Sequence, residues 1–379
     1  MLVAGMRRAW VLILIVEGAL WAAEPPKKEA DAIAGTWRGT HSAGGTGYQH
    51  LIKVEKRGVA YAGIGLTYRG MSEEQAQRAM TKQLGANELA GRDALCVQQQ
   101  WALQWDGKVL TFRSLGAVNC HRGGGYNPDV FSAEMTTPGI LAGEAADMKK
   151  KEGRFRLYRE GSPEAARPAP IAAGKTENLS CLDDPAYHYT CYLPKAYDPQ
   201  KEWPVLINFD PSGNGNPLST KMAEELGWIM VGLTESKNGP WEPVVMNRDA
   251  VVFDLRRRFS VNWKRVYFSG LSGGARASSY SAQTFPSLCA GLILIGASYA
   301  GGAPPPKEIP IFFIAGQTDM NKGEVEGAHR AAKTAGRKTD IIIHPGGHEW
   351  GRAEDHEAAI RWLEKEAGGK AAADTKKKP

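Results

Sequence analysis

The sequence predicts an α/β fold with a mostly parallel sheet, preceded by a small all-β domain, barrel or sandwich. Three observations predict it. After residue 179, short apolar runs alternate with helical stretches, the pattern of strands joined by crossover helices. Between Ile33 and about Glu160, short segments of alternating polarity recur with turn signals between them. A Pro/Ala/Gly-rich stretch, residues 161–178, separates the two grammars as a linker.

The chain has 379 residues, 42% hydrophobic and 23% charged, ordinary for a water-exposed globular protein. Its net charge of +6 is carried largely by lysine runs at Lys27-Lys28, Lys149-Lys150-Lys151 and Lys376-Lys377-Lys378. No arginine-and-aromatic stripe accompanies them, so the sequence argues for solvated segments and against a nucleic-acid surface.

Residues 1–23 read as an export signal: Arg7 and Arg8, an apolar stretch from Ala9 to Trp21, then Ala22 and Ala23 for cleavage. The stretch is short for a membrane span and Glu17 interrupts it, so no stable membrane association is expected after cleavage. The expected location is periplasmic or extracellular. Five cysteines in an oxidising compartment suggest two bridges by proximity, Cys96–Cys120 and Cys181–Cys191, with Cys289 as a small core residue. Residues 24–32 form a short linker.

The β-rich domain, residues 33–160, contains Leu51-Ile52-Lys53-Val54, Trp101 to Trp105 and Phe155 to Tyr158 as strand segments. Asp106-Gly107 marks a hairpin, because glycine supplies positive φ. Ser72-Glu73-Glu74-Gln75 is a capping box that opens a helix toward Leu84. The domain opens on Gly35-Thr36-Trp37 and closes with Arg156 and Arg159. In this it weakly resembles lipocalin-like barrels, which pair an early Gly-x-Trp with a closing arginine. The tryptophans and tyrosines of this half read as core rather than as ligand contacts.

In residues 179–367, strands are expected at Tyr187–Leu193, Val205–Phe209, Trp228–Leu233, Val266–Ser269, Leu292–Ile295, Ile309–Ile314 and Asp340–Ile343. Asn247–Phe259 reads as an amphipathic helix and Glu354–Lys365 as a closing one. Residues 368–379 read as a disordered tail.

Gly270-Leu271-Ser272-Gly273-Gly274 has the form G-x-S-x-G between an apolar run and a run of small residues. That is the strand, sharp turn and helix that presents a nucleophilic serine. A serine hydroxyl needs a base, an orienting acid and donors for the oxyanion. In elbows of this kind the order is Ser, acid, His. Asp319 follows a strand through Gly316-Gln317-Thr318 and is the acid candidate; Glu324 and Glu326 fit the cap of the next helix. His348 lies in the loop His344-Pro345-Gly346-Gly347-His348 and is the base candidate. His344 ends the strand, and Pro345 prevents the helix a His-x-x-x-His metal pair would need. The oxyanion donors expected are the N–H of Gly273 and, after the early strand, of Ser212, with Gly213 second; Pro211 has none.

With these residues in place, residues about 180–367 resemble the α/β-hydrolase superfamily, especially secreted esterases related to polyhydroxybutyrate depolymerases and feruloyl or acetylxylan esterases. Tyr192-Leu193-Pro194-Lys195-Ala196-Tyr197-Asp198, the elbow, Asp319 and Gly346-Gly347-His348-Glu349-Trp350 carry the resemblance. It implies a Ser272–His348–Asp319 triad and ester hydrolysis through an acyl-enzyme, chemistry that needs no metal or organic cofactor. The few residues between the elbow and the next strand leave little room for a lid, so a small or polymer-attached ester substrate is expected. The chain departs from that pattern at Asp210-Pro211, where His-Gly is frequent, and at Gly273, where a larger residue or alanine is. A serine peptidase of the same fold, or a non-catalytic binding protein, are the alternative readings.

Overall fold

The computed structural model describes residues 31–43, 46–81, 94–121, 129–147, 152–162, 171–182 and 184–375. The expected export signal and all three lysine runs lie outside the described residues. Among the described residues, no helix is long and apolar enough to cross a membrane.

The β-rich part is a closed barrel, not a sandwich. Its strands are β1 (Gly35–Ala43), β2 (Thr46–Arg57), β3 (Ala60–Arg69), β4 (Leu95–Trp105), β5 (Val109–His121), β6 (Asp129–Thr137), β7 (Ile140–Asp147) and β8 (Glu152–Arg159). Each pairs antiparallel with the next, and β1 closes on β8. Closure removes the exposed edges that an open sheet would present. Trp37, Trp101, Phe112, Phe131 and Phe155 fill the interior, with Phe131 and Phe155 stacked at 4.5 Å. Trp37 and Arg159 are register partners across the β1–β8 seam. At Gly39, a Cβ would run into the Arg156 carbonyl across that seam. The hairpin at Asp106-Gly107 forms, with Gly107 at φ 99 and Asp106 Oδ1 accepting the Lys108 and Val109 N–H groups. The capping box also forms and starts α1 (Glu73–Met80).

The polar end of the barrel interior carries a buried chain of side chains. His41 Nδ1 and His50 Nε2 are 2.7 Å apart, and His50 Nδ1 and Thr67 Oγ1 are 3.0 Å apart. Burial pushes the pKa of His41 down to about 3 from the ordinary 6.5; burial and then the charge of His41 push His50 well below 6.5. Both imidazoles are ordinary in the unfolded chain. Below pH 6.5 the unfolded chain therefore takes up protons that the folded barrel refuses, and stability is lost as pH falls from 6.5 toward 3. The melting temperature should drop between about pH 7 and about pH 4. A His41→Gln/His50→Gln variant should show a shallower drop across the same range; an unchanged slope would contradict this account.

The second part is an eight-stranded mixed sheet in the order β16-β15-β14-β13-β11-β12-β10-β9. Its strands are β9 (Thr176–Ser180), β10 (His188–Tyr192), β11 (Trp203–Phe209), β12 (Ile229–Leu233), β13 (Val261–Leu271), β14 (Gly291–Ile295), β15 (Ile311–Gly316) and β16 (Thr339–His344). β11 to β16 run parallel, whereas β10 and β9 are antiparallel additions at one edge. The helices are α2 (Thr220–Leu226), α3 (Trp241–Arg258), α4 (Gly273–Thr284), α5 (Lys322–Thr334) and α6 (Ala353–Thr375). Parallel strands end on the same edge, so the loops after β11, β12, β13, β14, β15 and β16 converge there.

Three expectations are corrected. Residues 176–178, read as the end of the linker, form β9 together with Leu179 and Ser180: Glu177 and Leu179 alternate with exposed neighbours and pair with β10. Residues 368–375, read as tail, continue α6, where the alanine run Ala371-Ala372-Ala373 favours helix. Neither disulfide is present, and all five cysteines are free thiols. Cys96 and Cys120 are neighbours with Sγ atoms 3.3 Å apart, but unbonded. Cys181 faces Tyr187, four residues from Cys191, which along a strand is about 13 Å and out of reach of a bridge. Cys289 is a buried core residue as expected, and burial pushes its thiol up to about 12.

Helix α3 begins six residues before its expected start and is two-faced. Val244, Val251, Val252 and Leu255 enter the core of the sheet. Its other side carries Phe253 and Arg257 toward the outer wall of the barrel. Arg257 lies 3.9 Å over the Tyr158 ring, and the Phe253 and Tyr158 rings are 6.2 Å apart. The apolar stripe visible in the sequence is therefore only half of this helix's packing.

Candidate active site

Ser272 sits between β13 and α4, where the chain turns from strand to helix without a spacer. Its backbone has φ 55 and ψ −116, a strained conformation for a residue with a Cβ. Gly270 and Gly274 make the turn feasible. A Cβ on Gly270 would meet the Gly274 backbone, and one on Gly274 would meet the Phe209 carbonyl oxygen of β11. The Ser272 N–H donates to the Ile295 carbonyl at 2.8 Å, and its side chain makes no capping bond to α4. The hydroxyl is thus left over at the positive end of a helix whose first turn has no acidic residue.

Asp319 and His348 are brought together. His348 Nδ1 and Asp319 Oδ1 are 3.0 Å apart, and the carboxylate is fully buried while the imidazole is partly exposed. Asp319 Oδ1 also accepts the Asn321 N–H at 2.7 Å, whereas Oδ2 is buried without a partner. Two contacts dock the histidine loop on the acid loop. Thr318 donates its N–H and hydroxyl to the Gly346 carbonyl, both at 2.8 Å, and Gly316 lies against the carbonyls of Gly346 and Gly347.

Gly296, which the sequence reading missed, joins the pair to the elbow. It follows Ile295, the acceptor for Ser272, at φ 60. A Cβ there would be 2.9 Å from Asp319 Oδ2 and 3.1 Å from His348 Nδ1. The Asn321 carboxamide holds it from the far side, donating to the Gly296 carbonyl at 2.8 Å. The only sequence signal was a glycine ending the apolar run Leu292–Ile295.

Glu324 lies in the first turn of α5 but makes no capping bond, and its partners lie on other segments. It accepts the Ser298 N–H at 2.9 Å and hydroxyl at 2.6 Å, and pairs with Arg276 of α4 at 2.8 Å. Burial alone would raise its pKa, but the Ser298 bonds and Arg276 outweigh this and hold it below the usual range. The nucleophile helix, the β14 loop and the acid-bearing segment are tied through this one carboxylate. His344, the rival base, is fully buried at the end of β16 and is not bonded to Asp319.

The early loop corrects one expectation. The Ser212 N–H donates to Asp210 Oδ1 at 3.0 Å, its hydroxyl to the same oxygen at 2.6 Å, and the Gly213 N–H to the Asp210 carbonyl at 3.2 Å. Asp210, 2% exposed, also accepts the Asn216 N–H at 3.1 Å. The Asp210 carboxylate takes the Ser212 N–H and the Asp210 carbonyl takes the Gly213 N–H, so both amides are engaged within their own loop. The Gly273 N–H stands at the first turn of α4 with no helical partner of its own.

Comparison of the sequence with protein-family models and with curated proteins finds no match. Among solved structures, the chain is similar to the feruloyl esterase module from Clostridium thermocellum, with TM-score 0.40, 14% identity, and 54% of this chain and 93% of that chain covered. It is also similar to an esterase from Pyrobaculum calidifontis, with TM-score 0.39, 12% identity, and 52% and 86% covered. A third is S-formylglutathione hydrolase from Staphylococcus aureus, with TM-score 0.39, 12% identity, and 53% and 99% covered. The structures it resembles include esterases of the α/β-hydrolase superfamily.

Two clefts of about 270 and 400 Å³ lie between the barrel and α3, and none of Ser272, Asp319 and His348 lines them. Among the described residues, no group of three or more His, Cys, Asp or Glu side chains is arranged to hold a metal ion.

Proposed function

We propose that the chain is an exported serine hydrolase that cleaves carboxylic esters, with Ser272 as nucleophile, His348 as base and Asp319 as its orienting acid. One observation carries the reading. The Ile295–Gly296 junction accepts the Ser272 N–H on one side and packs under the His348–Asp319 pair on the other.

In this reading Asp319 accepts the His348 Nδ1–H and leaves Nε2 as the basic nitrogen. Nε2 takes the Ser272 proton as Oγ attacks the ester carbonyl. The oxyanion is held by the Gly273 N–H and the helix end. The imidazolium then returns the proton to the leaving alcohol, and the acyl group remains on Oγ. Water, deprotonated by Nε2, releases the acid and regenerates the serine. Only residues 285–290 separate α4 from β14, which leaves no lid there and suits an ester carried on a polymer as well as a small one.

Residues 24–379 should hydrolyse p-nitrophenyl acetate and butyrate, and leave peptide p-nitroanilides uncut. Cleavage of the anilides at comparable kcat/KM would favour the peptidase reading. A folded protein inert to both would favour a binding protein. Asp319→Asn should lower kcat for p-nitrophenyl butyrate by about 10³–10⁴-fold, because an amide in place of the carboxylate favours the wrong His348 tautomer. Steady-state kinetics checks this; a loss below about tenfold would exclude Asp319 as the orienting acid.

A further inference from the structure

The site described above has one amide donor, Gly273, where acyl transfer ordinarily uses two, and the expected second donor is spent on Asp210. We propose that the Asn238 carboxamide is the missing donor, so that the oxyanion is held between a backbone N–H from the elbow and a side-chain N–H from the loop after β12. This rests on the Ser272 reading.

Asn238 lies in the segment Thr234-Glu235-Ser236-Lys237-Asn238-Gly239, which leaves β12 on the same sheet edge as the elbow. Its side chain lies directly against Gly273. A Cβ at Gly273 would be 2.5 Å from Asn238 Cβ and Cγ and 2.6 Å from Oδ1. The carboxamide thus fills the space that a side chain at 273 would take, which also explains why glycine stands where a larger residue is frequent. It reaches the residue next to the nucleophile from outside the early loop.

The carboxamide is exposed, and no hydrogen bond engages it among the described residues. Its counterparts are engaged: Asn208 Nδ2 donates to the Asn216 carbonyl, Asn247 Nδ2 to Glu235 and Asn321 Nδ2 to the Gly296 carbonyl. Half a turn about Cβ–Cγ exchanges its oxygen and nitrogen, so either end can face the substrate. When Ser272 Oγ bonds to the ester carbon, the carbonyl π pair moves onto oxygen. The Nδ2–H then donates a hydrogen bond to that oxygen, stronger as negative charge develops there; it transfers no proton and forms no covalent bond. A donor of this kind acts on the transition state more than on bound substrate, so its loss falls on kcat.

The test is steady-state kinetics of Asn238→Ala and Asn238→Asp on p-nitrophenyl butyrate, with the inhibition constant of a trifluoromethyl ketone and a melting curve for each. For Asn238→Ala, kcat should fall by about 10²–10³-fold, with KM within about threefold of wild type. Ketone affinity should fall by a similar factor, with Tm unchanged. Asn238→Asp should lose at least as much, since a carboxylate repels the oxyanion. A merely structural role would lower Tm and spare the ketone. Asn238→Ala with kcat within about threefold of wild type, or a loss confined to KM, overturns the proposal while the esterase reading stands. Wild type that is folded yet inert to esters overturns both.

Discussion

Ser272→Ala should lower kcat for p-nitrophenyl butyrate by about 10⁴–10⁶-fold and leave the protein folded. The size follows from what is removed. Without Oγ there is no acyl-enzyme, and the remaining amide donor and binding surface can only assist direct attack by water. The fold should survive because the Ser272 side chain makes no capping bond, and the bond that anchors the turn, from its N–H to the Ile295 carbonyl, is backbone. Alanine keeps the Cβ that already tolerates φ 55. Circular dichroism and a melting curve should therefore match wild type to within about 0.5 kcal/mol, while the ester assay falls to background. Substantial residual activity would place the nucleophile elsewhere.

Gly274→Ala should have the opposite profile: a large loss of stability, with activity lost as a consequence. A methyl group there would overlap the Phe209 carbonyl oxygen and approach Pro211 Cδ to 3.1 Å. Neither neighbour is the end of a flexible side chain. Phe209 is a β11 backbone position paired with Gly270 of β13, so α4 or β11 must move. Overpacking a core costs about 1–3 kcal/mol where side chains can adjust, and about 3 kcal/mol or more is expected where backbone must. Gly323→Ala is the control. It lies in α5 with nothing within 4 Å, so the same change should stabilise by about 0.5–1 kcal/mol. Urea denaturation of the two variants against wild type tests the contrast. Equal stabilities would mean that the close approach at Gly274 is not a constraint.

Much of this was legible because the chemistry and the backbone demand the same residues. The G-x-S-x-G spacing reflects two close approaches, at Gly270 and Gly274, that no other residue permits. Asp319 and His348 were readable because each follows an apolar run that could only be a buried parallel strand. The all-β character of residues 33–160 was readable from its alternating segments, whereas closure into a barrel rather than a sandwich depends on the pairing of β1 with β8. What stayed hidden depends on contacts between segments distant in sequence. The Ser212 bond is the local exception: Asp210, two residues earlier, takes its N–H in an Asx-type turn. Nothing near Asn238 says that its loop will reach Gly273. The second face of α3 was hidden because it packs on a domain that a helical period in the sequence does not register. The cysteine pairing failed at Cys181 and Cys191 for a related reason: closeness in sequence became separation along a hairpin.

The proposed hydrolase chemistry requires Ser272 to be an activated nucleophile. The most direct measurement is labelling of the folded wild-type protein with a fluorophosphonate, followed by peptide mass spectrometry. One adduct per chain is expected, on Ser272, absent from Ser272→Ala and strongly slowed in His348→Ala. A folded protein that takes up no label, or takes it up on another residue, would contradict it.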